Sequence, residues 1–178
     1  MILDASVEKI PTSVFITSEE GSVFVAKEIA SLIRQRQREK KMCVLGLATG
    51  STPTRVYAEL AAMHRKGLSF ENVITFNLDE YYPIRPDSLQ SYVRFMHEHL
   101  FDHVNIEKKN IHIPDGMLPK EKTAAFCKAY DRKIEAAGGI DIQILGVGRT
   151  GHIGFNEPGS SERSGTRTVS YTHLTLPT

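Results

Sequence analysis

The sequence predicts an α/β fold, with a mainly parallel sheet covered by helices on both faces. Two observations predict it. Strand-like apolar runs alternate with helical patterns along the chain, and these runs lack the apolar/polar alternation of a sheet with one face in water. A chain of 178 residues, of which 40% are hydrophobic and 24% charged, is long enough for one domain with a substantial core.

The first half of the chain predicts two helices and two strands. A capping box at residues 17–20 opens the first helix, and the apolar run 42–47 is a buried strand. Pro53 suits the first turn of a second helix that reaches about His64. Residues 73–78 form the next strand.

The second half predicts a similar alternation. Ser88 is the expected N-cap of a third helix, and residues 111–113 form a short strand. A fourth helix starts at Pro119 and ends at Gly138-Gly139, and the strand that follows covers residues 140–145.

Charge and cysteine content bound the partners and the compartment. A formal net charge of +1 gives no reason to expect nucleic acid or an anionic membrane as a partner. The two cysteines, Cys43 and Cys127, are too few for a disulfide framework. No apolar run reaches membrane-spanning length, and the N-terminus lacks a signal-peptide pattern, so a cytoplasmic protein is expected.

Three chemically rich segments each follow a predicted strand: residues 48–53, 79–82 and 146–158. Ligands of parallel α/β sheets bind beyond the carboxyl ends of the strands. The coincidence predicts an active site at that edge of the sheet.

The first segment is a glycine turn between a strand and a helix. Glycine allows close approach of the backbone to a ligand, and a helix N-terminus offers free N–H groups. The turn therefore predicts a phosphate monoester held by Thr49, Gly50, Ser51 and Thr52. A plain capped turn is the alternative, and the Gly-Lys-Ser/Thr ending of an ATP-binding loop is absent.

Residues 146–151 match the dinucleotide pattern G-x-G-x-x-G, but the context argues against a nicotinamide cofactor. The pattern should open a helix, and residues 153–158 are a poor helix start. No acidic residue lies about twenty positions further on to hold a ribose. The glycines are better explained as shaping a loop around His152, and no cofactor is expected.

The candidate proton-transfer groups lie in the second and third segments. Asp79 and Glu80 stand where a buried strand meets a loop, and partial burial makes a carboxylate a better base. His152 lies between two glycines, with Glu157 five residues on as a possible partner. Catalytic and structural roles remain open for each from spacing alone.

A cluster of histidines on a predicted helix has a spacing that could suit a metal ion. His99 and His103 are four residues apart, with His97 and Asp102 nearby. A third ligand is not evident and the H-E-x-x-H order is absent, so exposed histidines are expected and no metal.

Four motifs in order resemble the glucosamine-6-phosphate deaminases. They are residues 47–53, residues 75–81, Ser91-Tyr92 with Phe95-Met96, and residues 151–158. The resemblance runs from about residue 15 to about 168 and rests on the order of the motifs as much as on any one of them.

The resemblance implies a three-layer Rossmann-like sandwich and an enzyme of amino-sugar metabolism, including N-acetylglucosamine catabolism. The reaction would hydrolyse and isomerise glucosamine 6-phosphate to fructose 6-phosphate and ammonium, without metal or organic cofactor. Asp79 would be the enolisation base, and His152 with Glu157 would open the sugar ring. The expected phosphate-loop residues are Thr49, Gly50, Ser51 and Thr52, and further substrate contacts are expected at Glu80, Gly148, Thr150 and Gly151.

One departure from the family lies beside the histidine. The family commonly has an aspartate two residues before it, and this chain has Thr150, which supplies no negative charge beside the imidazole. Three explanations stay open: slower ring opening, Glu157 acting alone, or a variant substrate.

A second departure is at the end of the chain. Residues 169–178 do not resemble the family's continuation, so they are expected to be a non-native tail. Residues 1–168 are expected to be the N-terminal portion of one sugar-phosphate isomerase/deaminase domain, with an incomplete sheet. Little activity is expected of the 178 residues alone.

Two other functions compete with deamination. One is a related sugar-phosphate enzyme, such as a 6-phosphogluconolactonase or a pentose-phosphate isomerase. The other is a sugar-phosphate sensor domain without catalysis. Family members are often homo-oligomers, so the resemblance also leaves a homo-oligomer open.

Overall fold

The computed structural model describes residues 10–161 and 163–169. Four α-helices alternate with four strands in this part of the chain. The helices are α1 (Ser18–Arg38), α2 (Ser51–Arg65), α3 (Tyr92–His99) and α4 (Thr123–Ala136). The strands are β1 (Cys43–Leu47), β2 (Val73–Asn77), β3 (Ile111–His112) and β4 (Ile142–Gln143).

The four strands form one parallel sheet in the order β3-β2-β1-β4. β1 pairs with β2 over its whole length, from Cys43 opposite Val73 to Leu47 opposite Asn77. All five residues of β1 are buried, which explains why this run is apolar without alternation. The predicted parallel α/β class is confirmed.

Helices cover both faces of the sheet. On one face, Ile29 and Ile33 of α1, Leu60 of α2 and Met96 of α3 pack with Leu45 of β1 in a single buried cluster. The opposite face is smaller. There α4 places Tyr130 against Val44 and Phe76. The layers are therefore helix, sheet and helix, as the resemblance implied.

The first helix begins at the predicted capping box. The Thr17 side chain accepts a hydrogen bond from the Glu20 N–H, at 3.2 Å. The Glu20 carboxylate reaches back to the N–H of Ile16 at 3.1 Å, one residue before the cap. Both ends of the motif thus satisfy backbone donors that the first helical turn leaves free.

The prediction for the start of the third helix was wrong. The N-cap of α3 is Ser91, whose hydroxyl accepts from the Val93 N–H, and not Ser88. Ser88 donates its N–H to the Arg85 carbonyl and accepts from the Ser91 N–H through its own carbonyl. Two consecutive turns use these groups, so the helix starts three residues later.

Two further predicted boundaries need correction. Pro119 precedes a short 3-10 turn, Lys120–Lys122, and the α-helix itself begins at Thr123. The last strand covers only Ile142–Gln143 instead of residues 140–145. At its start, the Asp141 carboxylate accepts the Val44 N–H at 2.9 Å, so a side chain replaces a rung of the ladder.

The sheet order brings the three chemically rich segments to one edge. β2, β1 and β4 are neighbours, so the loops that follow them lie side by side beyond their carboxyl ends. The chain places β2 and β3 on one side of β1 and then β4 on the other, so the strand order reverses between β1 and β4. Such a switch point is where α/β sheets bind ligands.

None of the described helices is both long enough and apolar enough to cross a membrane. The sequence expectation of a non-native tail concerns residues 169–178, of which all but Val169 lie outside the described part of the chain.

Candidate active site

A cavity of about 830 Å³ lies where the three loops meet. Its wall combines the four predicted phosphate-loop residues with the predicted base and the predicted histidine. These are Thr49, Gly50, Ser51, Thr52, Asp79 and His152, and Gly148 lies beside them. The sequence motifs, which are spread over a hundred positions, therefore share one site.

The predicted phosphate loop, residues 49–52, reaches into the uncapped N-terminus of α2. Gly50 is the N-cap, with a φ of 107° that disfavours any residue with a Cβ, and no side chain caps the helix. The first turn of α2 has no acidic residue. Uncapped N–H groups and the positive end of the helix dipole suit an anion at this position.

Asp79 lies two residues beyond β2. The Leu78 N–H still donates to the Leu47 carbonyl at 3.0 Å, so the strand geometry continues to the residue before the carboxylate. Burial, and next the negative charge of Glu80, raise the pKa of Asp79 to about 7. A carboxylate with that proton affinity can both take and return a proton near neutral pH.

His152 is held against the backbone of its own loop. The Gly148 N–H donates to the His152 carbonyl at 2.9 Å, and the Gly151 N–H donates to the Gly148 carbonyl at 2.9 Å. A Cβ at position 148 would lie 2.1 Å from Cε1 of the imidazole. The ring therefore needs glycine at this position.

Thr150 stands between the histidine and the predicted carboxylate partner. Its hydroxyl lies 2.9 Å from His152 Nδ1 and donates to Glu157 Oε2 at 3.3 Å. A hydroxyl that donates to a carboxylate can only accept from the imidazole, which assigns the proton to Nδ1 and leaves Nε2 as the acceptor. Glu157 thus reaches His152 through Thr150 and not directly.

The same loop closes on Asp79. A Cβ at Gly154 would lie 3.3 Å from Asp79 Oδ2, so the backbone after the histidine passes close to the carboxylate. The two predicted proton-transfer groups, Asp79 after β2 and His152 after β4, thus line the same cavity.

Glu80 is oriented away from this cavity. Its Oε1 accepts from the N–H groups of Tyr81 and Tyr92 at 2.8 and 3.0 Å. Its Oε2 accepts from the Ser91 hydroxyl and the Val93 N–H at 2.9 and 3.1 Å. Of the other predicted residues, Thr150, Gly151 and Glu157 also lie outside the cavity wall.

An aromatic wall is the part of the site that the sequence analysis missed. Tyr81, Tyr92 and Phe155 line the cavity, with ring centroids 4.9 to 6.0 Å apart. Burial raises the pKa of the Tyr92 phenol, and the side chains of Tyr81 and Thr49 lie close enough to shift this pKa as well. The spacing of Tyr92 along the helix is that of a core residue. Its presence in the Ser91-Tyr92 motif was therefore the one sequence signal that associated it with the site.

A second cavity of about 550 Å³ lies on the other side of the Asp79 turn. Its wall includes Glu80, Asp115, Phe126 and Arg167.

Two of the histidines in the candidate metal cluster, His97 and His103, make contacts within the protein. His97 Nδ1 lies 2.7 Å from Asp102, and His103 Nε2 lies 2.8 Å from the Glu98 carbonyl. Across residues 10–161 and 163–169, no group of three or more His, Cys, Asp or Glu side chains is arranged to hold a metal ion.

The chain was compared with known proteins. It shares 49% identity over 153 residues with a glucosamine-6-phosphate deaminase of Bacillus subtilis, covering 85% of this chain and 61% of that protein. A glucosamine-6-phosphate deaminase of a Thermoanaerobacter species is 48% identical over 153 residues, covering 85% and 60%. A putative deaminase-like protein of Bacteroides thetaiotaomicron is 48% identical over 163 residues, covering 91% of this chain and 25% of its own.

Solved structures show the same fold. A monomeric glucosamine-6-phosphate deaminase superposes with a TM-score of 0.77 at 40% identity, covering 83% of this chain and 59% of that one. A 6-phosphogluconolactonase from Thermotoga maritima gives 0.64 at 34% identity, covering 76% and 60%. The chain thus spans 60% and 61% of the two deaminases compared by sequence, and a quarter of the Bacteroides protein.

The family model of glucosamine-6-phosphate isomerases and 6-phosphogluconolactonases matches residues 17–173, which is most of the chain. The match includes the phosphate loop, the Asp79 turn and the His152 loop that form the cavity. This chain therefore belongs to the family of glucosamine-6-phosphate isomerases and 6-phosphogluconolactonases.

Proposed function

We propose that this chain carries the active site of an enzyme that converts glucosamine 6-phosphate and water to fructose 6-phosphate and ammonium. One observation carries the proposal. An uncapped helix N-terminus, a carboxyl group with a pKa of about 7 and a histidine line the same cavity. Relatives named glucosamine-6-phosphate deaminases, at 48% and 49% identity, support the same reaction.

The position of the phosphate group sets the orientation of the sugar in the cavity. We place it at the α2 N-terminus, where the backbone N–H groups beyond Gly50 and the hydroxyls of Thr49, Ser51 and Thr52 are available. The sugar ring then extends toward Asp79 and the aromatic wall.

His152 is assigned to ring opening. Its Nε2 is the free acceptor, because Nδ1 is held by Thr150. It takes the proton of the anomeric hydroxyl and returns it to the ring oxygen, which yields the open-chain aldehyde.

Asp79 is assigned to the isomerisation. It takes the proton from C2 of the aldehyde while O1 gains a proton from the substrate's own ammonium group, which gives an enolamine. Asp79 then delivers its proton to C1, which gives the protonated ketimine at C2. Water then adds to C2 and ammonia leaves, giving fructose 6-phosphate and ammonium. A carboxyl with a pKa of about 7 suits both halves of the transfer, because neither protonation state is strongly preferred.

Lactone hydrolysis is the second candidate, because a solved 6-phosphogluconolactonase shares the fold at 34% identity. The two reactions differ in what they require of Asp79. Hydrolysis of a lactone moves no proton between carbons and releases no ammonium.

The test is an ammonium-release assay with glucosamine 6-phosphate on the protein encoded at the genomic locus, run beside hydrolysis of 6-phosphogluconolactone. Ammonium release that Asp79→Asn reduces at least about 1,000-fold is expected, since general acid–base catalysis contributes on that scale. Lactone hydrolysis without ammonium release would reject the proposal. Binding of the sugar phosphate without either reaction would favour a sensor.

The wider assignments follow from this proposal. The enzyme would be a hydrolase of N-acetylglucosamine catabolism that needs no cofactor and acts on a small amino sugar phosphate. Two free cysteines fit the reducing cytoplasm. Self-association is a prediction that the oligomeric state in solution would test.

A further inference from the structure

Both carboxylate oxygens of Glu80 are hydrogen-bonded to groups of the protein itself. Its two carboxylate oxygens accept four hydrogen bonds of 2.8 to 3.1 Å. Three of the donors belong to Ser91, Tyr92 and Val93, at the start of α3, and the fourth is the N–H of Tyr81. Charge-assisted bonds of this kind are among the stronger ones in proteins, and together they fix the carboxylate.

These bonds join two parts of the cavity wall. Asp79 and Tyr81 flank Glu80 in the turn after β2, and Tyr92 is the first residue of α3. The Tyr92 phenol in turn lies close enough to Thr49 of the predicted phosphate loop and to Tyr81 for both side chains to shift its pKa. Glu80 thus connects the turn that carries the base, through Tyr92, to the loop that holds the phosphate.

We infer that Glu80 is a positioning residue, which locks the Asp79 turn to the N-terminus of α3 and so sets the distance between the base and the phosphate loop. This role is an alternative to the predicted substrate contact of Glu80, and its catalytic consequence rests on the proposed function. The carboxylate cannot reach into the cavity without breaking its bonds to α3.

The charge of Glu80 also acts on Asp79. Few other groups face that carboxyl: Tyr92 from α3, Tyr130 from α4, and His152 across the cavity. Among the residues that the structure describes, Glu80 is the one charged group that raises the pKa of Asp79, and its effect is second to that of burial. A variant without this charge should therefore titrate Asp79 at lower pH, which a merely destabilising change would not do.

The test uses three variants of the protein encoded at the genomic locus. Glu80→Gln keeps the shape and removes the charge, and Glu80→Asp keeps the charge but falls one methylene short of the donors. Glu98→Gln is the matched control, since Glu98 is an exposed carboxylate on α3 that forms a surface ion pair with Arg94.

The first readout is the titration of Asp79, followed by carbon NMR of aspartate-labelled protein and assigned by its loss in Asp79→Asn. It needs no turnover. Glu80→Gln is expected to lower the midpoint by about half a unit or more, while Glu98→Gln leaves it in place. An unchanged midpoint in Glu80→Gln would overturn the inference.

The second readout separates kcat from KM in ammonium release. Loss of positioning lowers kcat roughly tenfold or more in Glu80→Gln and in Glu80→Asp, with KM within about twofold of wild type. A raised KM with unchanged kcat would instead identify a substrate ligand. If Glu80→Gln does not fold, wild-type kcat in Glu80→Asp overturns the inference. If the wild type releases no ammonium, the proposed function fails and the titration still decides the role of Glu80.

Discussion

Asp79 differs from the surface carboxylates of the chain because its surroundings favour the protonated form. The pKa of about 7 has burial as its first cause, and the adjacent charge of Glu80 adds to it. An aspartate in the unfolded chain ionises near pH 4. Folding therefore holds a proton on Asp79 between these two values and opposes its ionisation above them.

Because the pKa of Asp79 is raised to about 7, its ionisation above that pH lowers the free energy of unfolding. The contribution of the protonated carboxyl is present below about pH 4 and is lost as the pH rises through about 7. Asp79→Asn mimics the protonated form, so it should be more stable than wild type at pH 8, by roughly 2 kcal/mol once the shift is discounted for partial exposure. Urea unfolding at pH 8 and pH 5 measures this.

The difference between the two proteins should shrink at pH 5, where wild-type Asp79 is mostly protonated. An equal difference at both pH values would show that the gain of Asp79→Asn has another cause than ionisation.

Thr150 is where this chain departs from the family's common residue. Its hydroxyl passes one hydrogen bond from His152 to Glu157. Thr150→Asp places a negative charge beside the imidazole, which stabilises the cation formed during ring opening. We expect ammonium release to be unchanged or to rise by up to roughly tenfold.

Thr150→Val is the control, because it keeps the branched shape and removes the hydroxyl. It should lower kcat, because His152 Nδ1 then loses its hydrogen bond to the Thr150 hydroxyl and the imidazole is no longer held in place. A large loss of activity in Thr150→Asp would mean that the site depends on the neutral bridge that threonine provides.

At the residue scale, the sequence pointed to the right carboxylate for the cavity but not to the task of its neighbour. Asp79 lines the cavity, whereas the carboxylate of Glu80 accepts hydrogen bonds from the start of α3. The motif alone does not reveal that divergence, since both residues are acidic and adjacent.

Among the elements, the loop after β4 has a glycine whose lack of a side chain leaves room for His152. A Cβ at Gly148 would overlap the His152 ring, whereas a Cβ at Gly146 has nothing within 4 Å. Gly148→Ala should displace the imidazole and lower kcat about 100-fold or more, because misplacement of a catalytic group by about 1 Å costs that much. Gly146 also lines the cavity, but the methyl group of Gly146→Ala meets no atom of the described residues, so this variant should lose far less activity in the same ammonium-release assay.

Thermal unfolding of both variants separates catalysis from folding. Similar Tm values with very different kcat values fit the close packing of His152 on Gly148. Equal activity in the two variants would contradict it.

The helices and strands that the sequence predicted well are those with a long apolar pattern and a strong end signal. α1 has both, and its Thr17 cap is confirmed. The prediction for the start of α3 was wrong because Ser88 and Ser91 are equally good N-cap residues. The hydrogen-bonded turns of residues 85–91 make Ser91 the N-cap. β4 is shorter than its apolar run because Asp141 competes for the β1 ladder.

At the scale of the whole molecule, parallel pairing brings distant motifs together. The order β3-β2-β1-β4 places the phosphate loop between the Asp79 turn and the His152 loop. Alternating apolar patterns predicted the fold class, and the position of each motif after a strand predicted the shared site. The aromatic wall of Tyr81, Tyr92 and Phe155 could not be predicted, because it needs α3 folded back over the Asp79 turn.

The central claim is that Asp79 carries a proton from C2 to C1 of the open-chain sugar. A proton held on a carboxyl group partly exchanges with solvent during the transfer. Turnover of glucosamine 6-phosphate in D2O, with mass spectrometry of the product, reads that exchange directly. We predict fructose 6-phosphate with deuterium at C1 from the wild type, and no labelled product from Asp79→Asn. Labelled fructose 6-phosphate formed by Asp79→Asn at the wild-type rate would contradict the account.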